Sequence, residues 1–286
     1  MNLPTPKYVV SDPKENHRYR IELPNGTVVE KLVSVTGVLD VISKPALYQW
    51  YAKSACELIR QKLNTLANVP IVITPEWIDE VVAEGRKRQD KIKDEAAEIG
   101  TAAHAAFERI IRGEPLGAVP PSVAEPAAEF ARWFAKTNIR IVASELPVGS
   151  ITHRFGGRID ALGVVGDDEW VLLDWKTSNG LYPEMALQVG GGYALALAEQ
   201  YGVSVGRAYI ARFSKKEPWG SECCELLDIA AAQRGFISAL ELKHTLAEAL
   251  IGEPVYSTFA ARAEQSEKTA TKARKAAKAR VGTLGF

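Results

Sequence analysis

The chain has 286 residues, 47% of them hydrophobic, and its 35 basic residues are balanced by 35 acidic ones. No apolar run approaches the roughly 20 residues of a membrane span, and the first residues, MNLPTPKYVV, lack the basic and apolar regions of a secretory signal. We therefore expect a soluble, cytoplasmic protein with one large domain or two small ones. Zero net charge argues against an affinity of the whole surface for nucleic acid.

The cysteine content narrows the kinds of metal site that the chain can form. Its three cysteines, Cys56, Cys223 and Cys224, include no Cys-x-x-Cys pair. An all-cysteine iron–sulfur cluster requires four thiolates, and this pattern also argues against a structural zinc site. Any metal must therefore be held by oxygen and imidazole ligands.

The first third of the chain predicts a β-hairpin followed by helices. Asn25-Gly26 separates two β-rich runs, HRYRIEL and TVVEKLVSVTGVL, which is a strong hairpin signal. Pro45 fits the first turn of a helix that reaches about residue 68. Thr74 can cap a further helix with Pro75 at its first position; this helix either continues to Ile111 or is interrupted near Gly100.

The remainder of the chain alternates between strand and helix patterns. Its prolines predict a loop at 113–126, before a helix at 127–136. Strands are predicted at 139–148, 154–165, 169–178, 205–213 and 223–229, and helices at 183–200 and 231–250, with tight turns at Gly149-Ser150 and at residues 166–168. This order predicts an α/β fold, a mixed sheet flanked by helices on both faces.

Three regions follow from these patterns: an N-terminal hairpin with helices (1–75), an α/β core (76–255) and a basic C-terminal tail (256–286). From residue 261 to the end there are seven Lys or Arg and two Glu, an excess of five positive charges. The tail either follows a phosphate backbone or is a solvated charged helix. Likewise, Trp50, Tyr51 and Trp77 either stack on unpaired bases or anchor the core of the N-terminal helices.

Three charged residues on neighbouring predicted strands indicate a catalytic site. Asp160 lies toward the end of one strand, and Asp174 and Lys176 lie near the end of the next. Because side chains alternate along a strand, Asp174 and Lys176 share a face and Trp175 points away. Two acidic groups on an apolar strand are costly to bury unless a cation offsets them, and Mg²⁺ prefers carboxylate, carbonyl and water oxygens. The alternative is an ordinary ion pair between Asp160 and Lys176.

Four motifs in order resemble the PD-(D/E)XK nuclease superfamily, in particular its RecB-like exonuclease branch. They are Gly100-Thr101-Ala102-Ala103-His104, Gly157-Arg158-Ile159-Asp160, Asp174-Trp175-Lys176-Thr177, and Gln188 with Tyr193. The resemblance covers about residues 95–215, and the SVTGVL and KPAL segments look like those of phage-encoded relatives. The fold it implies is the mixed sheet of restriction endonucleases.

The resemblance also implies site residues and a metal. Asp160, Asp174, His104 and the carbonyl of Trp175 would bind Mg²⁺ or Mn²⁺, Lys176 would assist the attacking water, and Gln188 and Tyr193 would contact substrate. Glu108, one helical turn after His104, is either an indirect supporter of the metal site or solvated. Glu145 has the same two alternatives.

This sequence departs from the family in two places. Ile159 replaces the usual proline before the first Asp, and Gln188 and Tyr193 are five residues apart where the family has four. The intervening glycines could form a π-bulge that aligns the two side chains; otherwise Tyr193 belongs to the core.

The function that the resemblance implies is hydrolysis of DNA by an exonuclease in recombination, repair or phage genome processing. The expected substrate is single-stranded DNA or a duplex end, with a recombinase or a single-strand-annealing protein as a partner and no membrane association. A structure-specific or restriction-like endonuclease and an inactive nucleic-acid-binding module are the alternatives, because one fold can serve all three.

Overall fold

The computed structural model describes residues 2–12, 18–65 and 74–248. The chain divides into two compact units, Met1–Lys243 and His244–Phe286. All described strands belong to the first unit, and only residues 244–248 of the second are described. The predicted basic tail therefore lies outside the described residues. None of the described helices combines the length and the apolar composition that a membrane span requires.

A small antiparallel sheet near the N-terminus contains the predicted hairpin. Its strands, in the order β1-β2-β3, are Val9–Ser11, Arg20–Glu22 and Val28–Val29. In the turn between β2 and β3, the Asn25 side chain accepts a hydrogen bond from the Thr27 N–H (3.0 Å), and Gly26 has a φ of +82°. Few residues other than glycine adopt this φ, so the Asn-Gly signal correctly predicted the hairpin. The sequence pattern did not predict β1.

The second half of the predicted hairpin run folds differently from the prediction. After β4 (Val33–Ser34), the chain forms a short helix, α1 (Val35–Val38), and a 3-10 turn (Leu39–Val41). The hydroxyl of Ser34 caps α1 by accepting a hydrogen bond from the Gly37 N–H at 2.9 Å. The prediction of a strand up to Val38 is therefore wrong.

Three longer helices lie between β4 and the remaining strands of the main sheet: α2 (Pro45–Thr65), α3 (Pro75–Ile111) and α4 (Pro121–Phe134). Thr74 caps α3 as predicted, accepting a hydrogen bond from the Trp77 N–H at 3.3 Å. Of the two alternatives for this helix the continuous one is correct, since α3 runs through Gly100. The predicted loop at 113–126 is wrong from residue 121 onward, because α4 already begins there. Pro121 occupies the first turn, where a missing N–H costs nothing, and Pro126 is buried within the helix.

The main sheet has six strands and a mixed topology, as predicted. Its order is β4-β6-β7-β8-β9, and β5 also pairs with β6. The pairs β5–β6, β6–β7 and β8–β9 are antiparallel, whereas β4–β6 and β7–β8 are parallel. The strands after β4 are Arg140–Ser150, Phe155–Val165, Glu169–Lys176, Arg207–Phe213 and Ser221–Glu225. The predicted turn at Gly149-Ser150 is wrong: β5 includes both residues, and the turn lies at 151–154.

Helices cover both faces of this sheet. One face packs against α1, α6 (Ala194–Tyr201) and α7 (Ile229–Ala247), with Phe155, Leu172 and Phe236 in its core. The other face packs against α3 and α4 through an aromatic cluster. In that cluster the Phe130 ring lies 4.3 Å from Phe107 and 5.1 Å from Trp175, measured between ring centroids. The two apolar layers hold β6 and β7 in the middle of the fold.

The helix between β7 and β8 contains a π-helical segment. α5 (Pro183–Ala186) is followed by the π segment Leu187–Tyr193 and then by α6. The three consecutive glycines of this segment are buried. A Cβ on Gly191 would lie 2.6 Å from the Cβ of Phe236 and 2.7 Å from the carbonyl oxygen of Ala232. The glycines thus allow the backbone of α7 to approach closely, and the π-bulge interpretation is confirmed.

Gly191→Ala is expected to lower the free energy of unfolding by about 1–3 kcal/mol, because the added methyl group overpacks the contact with α7. Urea denaturation monitored by circular dichroism measures the change. Gly85→Ala is the matched control: Gly85 also lies in a helix, but its nearest neighbours are 4.0 Å from the built Cβ. This control should be neutral or stabilising. Equal effects of the two substitutions would contradict the packing argument.

Candidate active site

A cleft of about 560 Å³ gathers most of the residues that the sequence singled out. It lies where β5, β6, β7, α3 and the π segment meet. The sequence-predicted residues that line it are His104, Glu108, Glu145, Asp160, Asp174, Lys176, Gln188 and Tyr193. Trp175 is the one predicted site residue that does not line the cleft.

The cleft exists because β6 and β7 separate at this point. Their ladder runs from Val165↔Glu169 to Ala161↔Leu173 and ends there. The next pair in the same register would be Asp160 with Asp174. Instead, the Asp160 carboxylate accepts a hydrogen bond from the Trp175 N–H at 2.6 Å, within a buried environment. The side chain of Asp160 thus takes the place of a strand neighbour and keeps a backbone N–H satisfied. Asp160 lies in the middle of β6, which corrects the prediction that placed it toward the strand end.

His104, Glu145 and Asp160 form a compact cluster of potential metal ligands. Within the described residues, one ligand atom from each lies within 4.8 Å of the others. The His104 Nδ1 atom is 3.3 Å from Asp160 Oδ1 and 3.8 Å from Glu145 Oε1. One imidazole and two carboxylates on three different elements are a donor set suited to a divalent cation.

Glu145 has an unusual backbone conformation. Its φ is +49°, in the left-handed region, although it lies inside β5. The flanking pairs, Ser144↔Ala161 and Leu146↔Ile159, put Glu145 opposite Asp160. A non-glycine residue in this conformation costs about 1–2 kcal/mol, which the surrounding sheet must offset. The distortion coincides with the position where the Glu145 carboxylate faces the cleft.

Asp174 and Lys176 form an ion pair at the bottom of the cleft. Asp174 is 1% exposed, and its Oδ2 atom pairs with the ammonium of Lys176. This Oδ2 atom accepts no well-oriented hydrogen bond from the described residues. Asp174 is buried, so its charge is costly unless it is compensated; beside its ion pair with Lys176, it is a further candidate ligand for a cation. Alternation along β7 puts both side chains on one face, as predicted, and the alternative ion pair of Lys176 with Asp160 is not the one formed.

Burial and neighbouring charges shift the pKa values of four side chains in the cleft. Burial raises the pKa of Asp174 to about 6, and the nearby Asp160 adds to this. Burial alone would lower the pKa of His104, but the carboxylate of Asp160 outweighs it and raises this pKa well above its usual range. In the same way Asp174 and Asp160 raise the pKa of Lys176 against the effect of burial, so Lys176 remains an ammonium at neutral pH. The pKa of Asp160 is lowered, because His104 and Lys176 outweigh its burial.

Trp175 contributes its backbone to the site and its side chain to the core. The indole is 2% exposed and belongs to the aromatic cluster under α4, on the face of β7 opposite to Asp174. Its N–H holds Asp160, as described above. The predicted role of its carbonyl as a metal ligand stays a prediction.

The π segment brings Gln188 and Tyr193 together on the cleft side. The Gln188 amide donates a hydrogen bond to the Tyr193 hydroxyl at 2.7 Å, despite the separation of five residues. Tyr193 is also buried, at 5% exposed, and its ring packs against Gly157, where a Cβ would lie 2.7 Å from Cε1. Burial, with Asp174 and Asp160, raises the pKa of Tyr193 well above its usual value, so the hydroxyl keeps its proton. Gly157 of the second motif thus makes room for Tyr193 of the fourth.

Glu108 lines the cleft but is engaged elsewhere. It pairs with Arg112 one turn along α3 and accepts a hydrogen bond from the Ser144 hydroxyl at 3.4 Å. Since Ser144 precedes Glu145, this contact ties α3 to the distorted part of β5. Whether Glu108 supports the metal region stays a prediction.

Three further ionisable residues line the cleft and were not predicted as site residues: Asp12, Tyr19 and Arg158. The Nη1 atom of Arg158 lies 3.8 Å from the Glu145 carboxylate. Because side chains alternate along β6, Arg158 could have been expected on the same face as Asp160. Asp12 directly follows β1 and Tyr19 directly precedes β2 of the small N-terminal sheet, and no local pattern connects them with the motifs. Only the packing of that sheet brings them to the cleft.

Comparisons with known proteins find one family and several solved structures that are similar to this chain. The family model of the PD-(D/E)XK nuclease superfamily matches residues 122–283. Similar solved structures include an alkaline exonuclease from Laribacter hongkongensis (19% identity, 76% of this chain and 93% of that chain, TM-score 0.32). Another is a protein from Eubacterium rectale that carries the name exonuclease (14% identity, 79% of this chain and 91% of that chain, TM-score 0.35). No curated protein sequence matches significantly.

The family match covers more than half of the chain and includes the strands β5–β9, with Asp160, Asp174 and Lys176. This protein belongs to the PD-(D/E)XK nuclease superfamily.

Proposed function

We propose that this protein is a metal-dependent DNA exonuclease that acts in recombination, repair or phage genome processing. The observation that carries the proposal is the cleft in which Asp160 and Asp174 face each other beside Lys176, at the end of the β6–β7 ladder. Membership of a nuclease superfamily implies a nucleic-acid substrate. The choice of DNA, and of attack from an end, rests on the resemblance of the four motifs to the RecB-like branch.

The donor set of the cleft fits a divalent cation. Nucleases of this superfamily generally use such ions, and here His104, Asp160 and Asp174 would hold one, with the Trp175 carbonyl and Glu145 as additional donors. The burial of the Asp174 carboxylate in the lining of the cleft supports this assignment, because a buried charge requires a nearby opposite charge. A bound divalent cation supplies charge neutralisation at the phosphate and an acidified water. Oxygen donors suit Mg²⁺, and the imidazole favours Mn²⁺.

The remaining polar residues bind and orient the reactants. Lys176 is held as an ammonium by Asp174, so it can donate hydrogen bonds to an attacking water and to a phosphate oxygen. This fixed positive charge stabilises the negative charge that develops as the phosphodiester is attacked. Gln188 and the protonated hydroxyl of Tyr193 would position the substrate from the opposite wall.

DNA strands must reach this cleft without an unwinding activity in the chain itself. The sequence contains no Gly-x-x-x-x-Gly-Lys-Ser/Thr motif for ATP. We therefore assign strand opening, where it is needed, to a partner, and propose that a recombinase or a single-strand-annealing protein receives the resulting strand.

Binding of Mn²⁺ is expected to stabilise the protein. A ligand at 100 times its Kd stabilises the folded state by about 2.7 kcal/mol, which raises the melting temperature in a thermal-shift assay. Asp160→Asn should remove most of this shift, because it weakens the ligand cluster. Glu98→Gln, a change on the exposed surface of α3, is the control and should keep the shift. An unchanged shift in Asp160→Asn would refute the assigned metal site.

The cleavage mode distinguishes an exonuclease from an endonuclease. With Mg²⁺ or Mn²⁺, the wild-type protein should shorten an end-labelled linear duplex or single strand progressively and leave a covalently closed circle intact. Asp174→Ala should reduce turnover at least about 100-fold, the scale of losing one electrostatic contact in a transition state, while a gel shift shows DNA binding largely retained. Cleavage of the circle would favour an endonuclease, and near-wild-type turnover of Asp174→Ala would refute the catalytic assignment.

A further inference from the structure

A second and larger cavity, of about 1140 Å³, lies beside the catalytic cleft. It is an open groove whose walls come from the start of α2, the middle of α3, the start of α5 and the loops after β7 and β8. Its lining includes the aromatic residues Trp50 and Tyr182 and the lysines Lys44, Lys93, Lys215 and Lys216. Its volume exceeds the roughly 300–1,000 Å³ of a pocket for a drug-sized molecule, so the groove suits a longer ligand.

The groove is continuous with the catalytic cleft along two elements, α3 and the π segment. On α3, Lys93 and Ala96 line the groove, and Gly100 and His104 line the cleft. These positions are three or four residues apart, so they form one stripe on the helix surface. The π segment continues the same path, since Leu187 lines the groove and Gln188 lines the cleft. A chain lying in the groove therefore leads into the cleft.

The lining combines aromatic faces with positive charge. Trp50 is 37% exposed and Tyr182 is 43% exposed, although both are large hydrophobic residues. The Trp50 ring lies 5.3 Å from that of Tyr51, which also lines the groove. Four lysines and one glutamate, Glu184, are the charged residues of the lining. Ammonium groups beside exposed aromatic rings are the combination with which proteins bind unpaired nucleic-acid strands.

We propose that this groove binds single-stranded DNA and guides it into the catalytic cleft. The inference rests on the proposed function and specifies its substrate. Aromatic rings stack on the faces of bases, and these faces are exposed in a single strand but covered by neighbouring base pairs in a duplex. The excess of positive charge matches the phosphates of such a strand, whereas an apolar peptide would leave the lysines unmatched.

Binding of a fluorescent oligo-dT tests the groove directly. It is measured by anisotropy in the Asp174→Ala background, so that cleavage does not interfere. Trp50→Ala in this background should weaken binding about 5- to 150-fold, the usual loss on removing one stacking platform. The matched control is Tyr48→Ala, because Tyr48 lies on the same helix, is 65% exposed and does not line the groove. Circular dichroism confirms that both variants are folded. Equal affinities of the two variants would overturn the proposal.

The salt dependence of oligo-dT binding gives a second, independent readout. Each phosphate contact to a single strand contributes about −0.7 to the slope of log affinity against log salt. Lys93→Ala should therefore make this slope shallower by about 0.7. Lys87→Ala, an exposed lysine of α3 outside the groove, should leave the slope unchanged. A slope that is unaffected by Lys93→Ala would count against the proposed path of the strand.

Cleavage assays separate a failure of this inference from a failure of the proposed function. Bis(p-nitrophenyl) phosphate is a small phosphodiester that can reach the cleft without the groove. Trp50→Ala should hydrolyse it like the wild type but cleave labelled single-stranded DNA more slowly at subsaturating concentration. If Trp50→Ala binds and cleaves the DNA like the wild type, the groove inference fails and the proposed function stands. If the wild type binds oligo-dT through Trp50 but cleaves no DNA, the proposed function fails and the groove inference stands.

Discussion

The separation of β6 from β7 at Asp160 and Asp174 is the constraint on which the rest of the site depends. Two strands that stayed paired here would press these carboxylates against each other and leave no cleft. The Asp160 side chain instead accepts the Trp175 N–H, so a backbone donor is satisfied while the strands part. The same carboxylate lies 3.3 Å from His104 Nδ1, and this contact lowers the cost of burying the charge of Asp160. Asp160 thus lies where the β6–β7 ladder ends and is also part of the charged site.

The charged cleft is held in place by the two apolar layers around it. Buried carboxylates are costly to desolvate, and their attraction to nearby cations offsets this cost only when the geometry is held. Trp175 and Phe130 fix β7 from one side, and the helices over Phe155 and Phe236 fix the sheet from the other. Lys176 supplies a positive charge on the cleft side, and the His104 imidazole lies beside Asp160. The proposed catalytic residues therefore project from the centre of the sheet, where the backbone has the least freedom.

Two glycines near the cleft are required for close packing, because a side chain at either position would clash with its neighbours. Gly157 leaves room for the ring of Tyr193, and Gly191 leaves room for the backbone of α7. The π segment adds one residue to the helix and still keeps the Gln188–Tyr193 hydrogen bond. The π segment thus both packs closely against α7 and keeps the side chains of Gln188 and Tyr193 in contact. The departure from the usual motif spacing does not separate the two residues.

The sequence by itself determined most of the element types, the hairpin at Asn25-Gly26 and the shared face of Asp174 and Lys176, because these depend on local periodicity and turn chemistry. The proline-rich start of α4 and the capped helix after Ser34 were predicted wrongly, since composition does not show where a cap or a buried face will stabilise a helix. Only the tertiary structure decided that Glu145 joins His104 and Asp160, that Asp12 and Tyr19 reach the cleft, and that Trp50 borders a groove leading to it. These relations join residues far apart in the chain, and they follow from how the elements pack rather than from any local pattern.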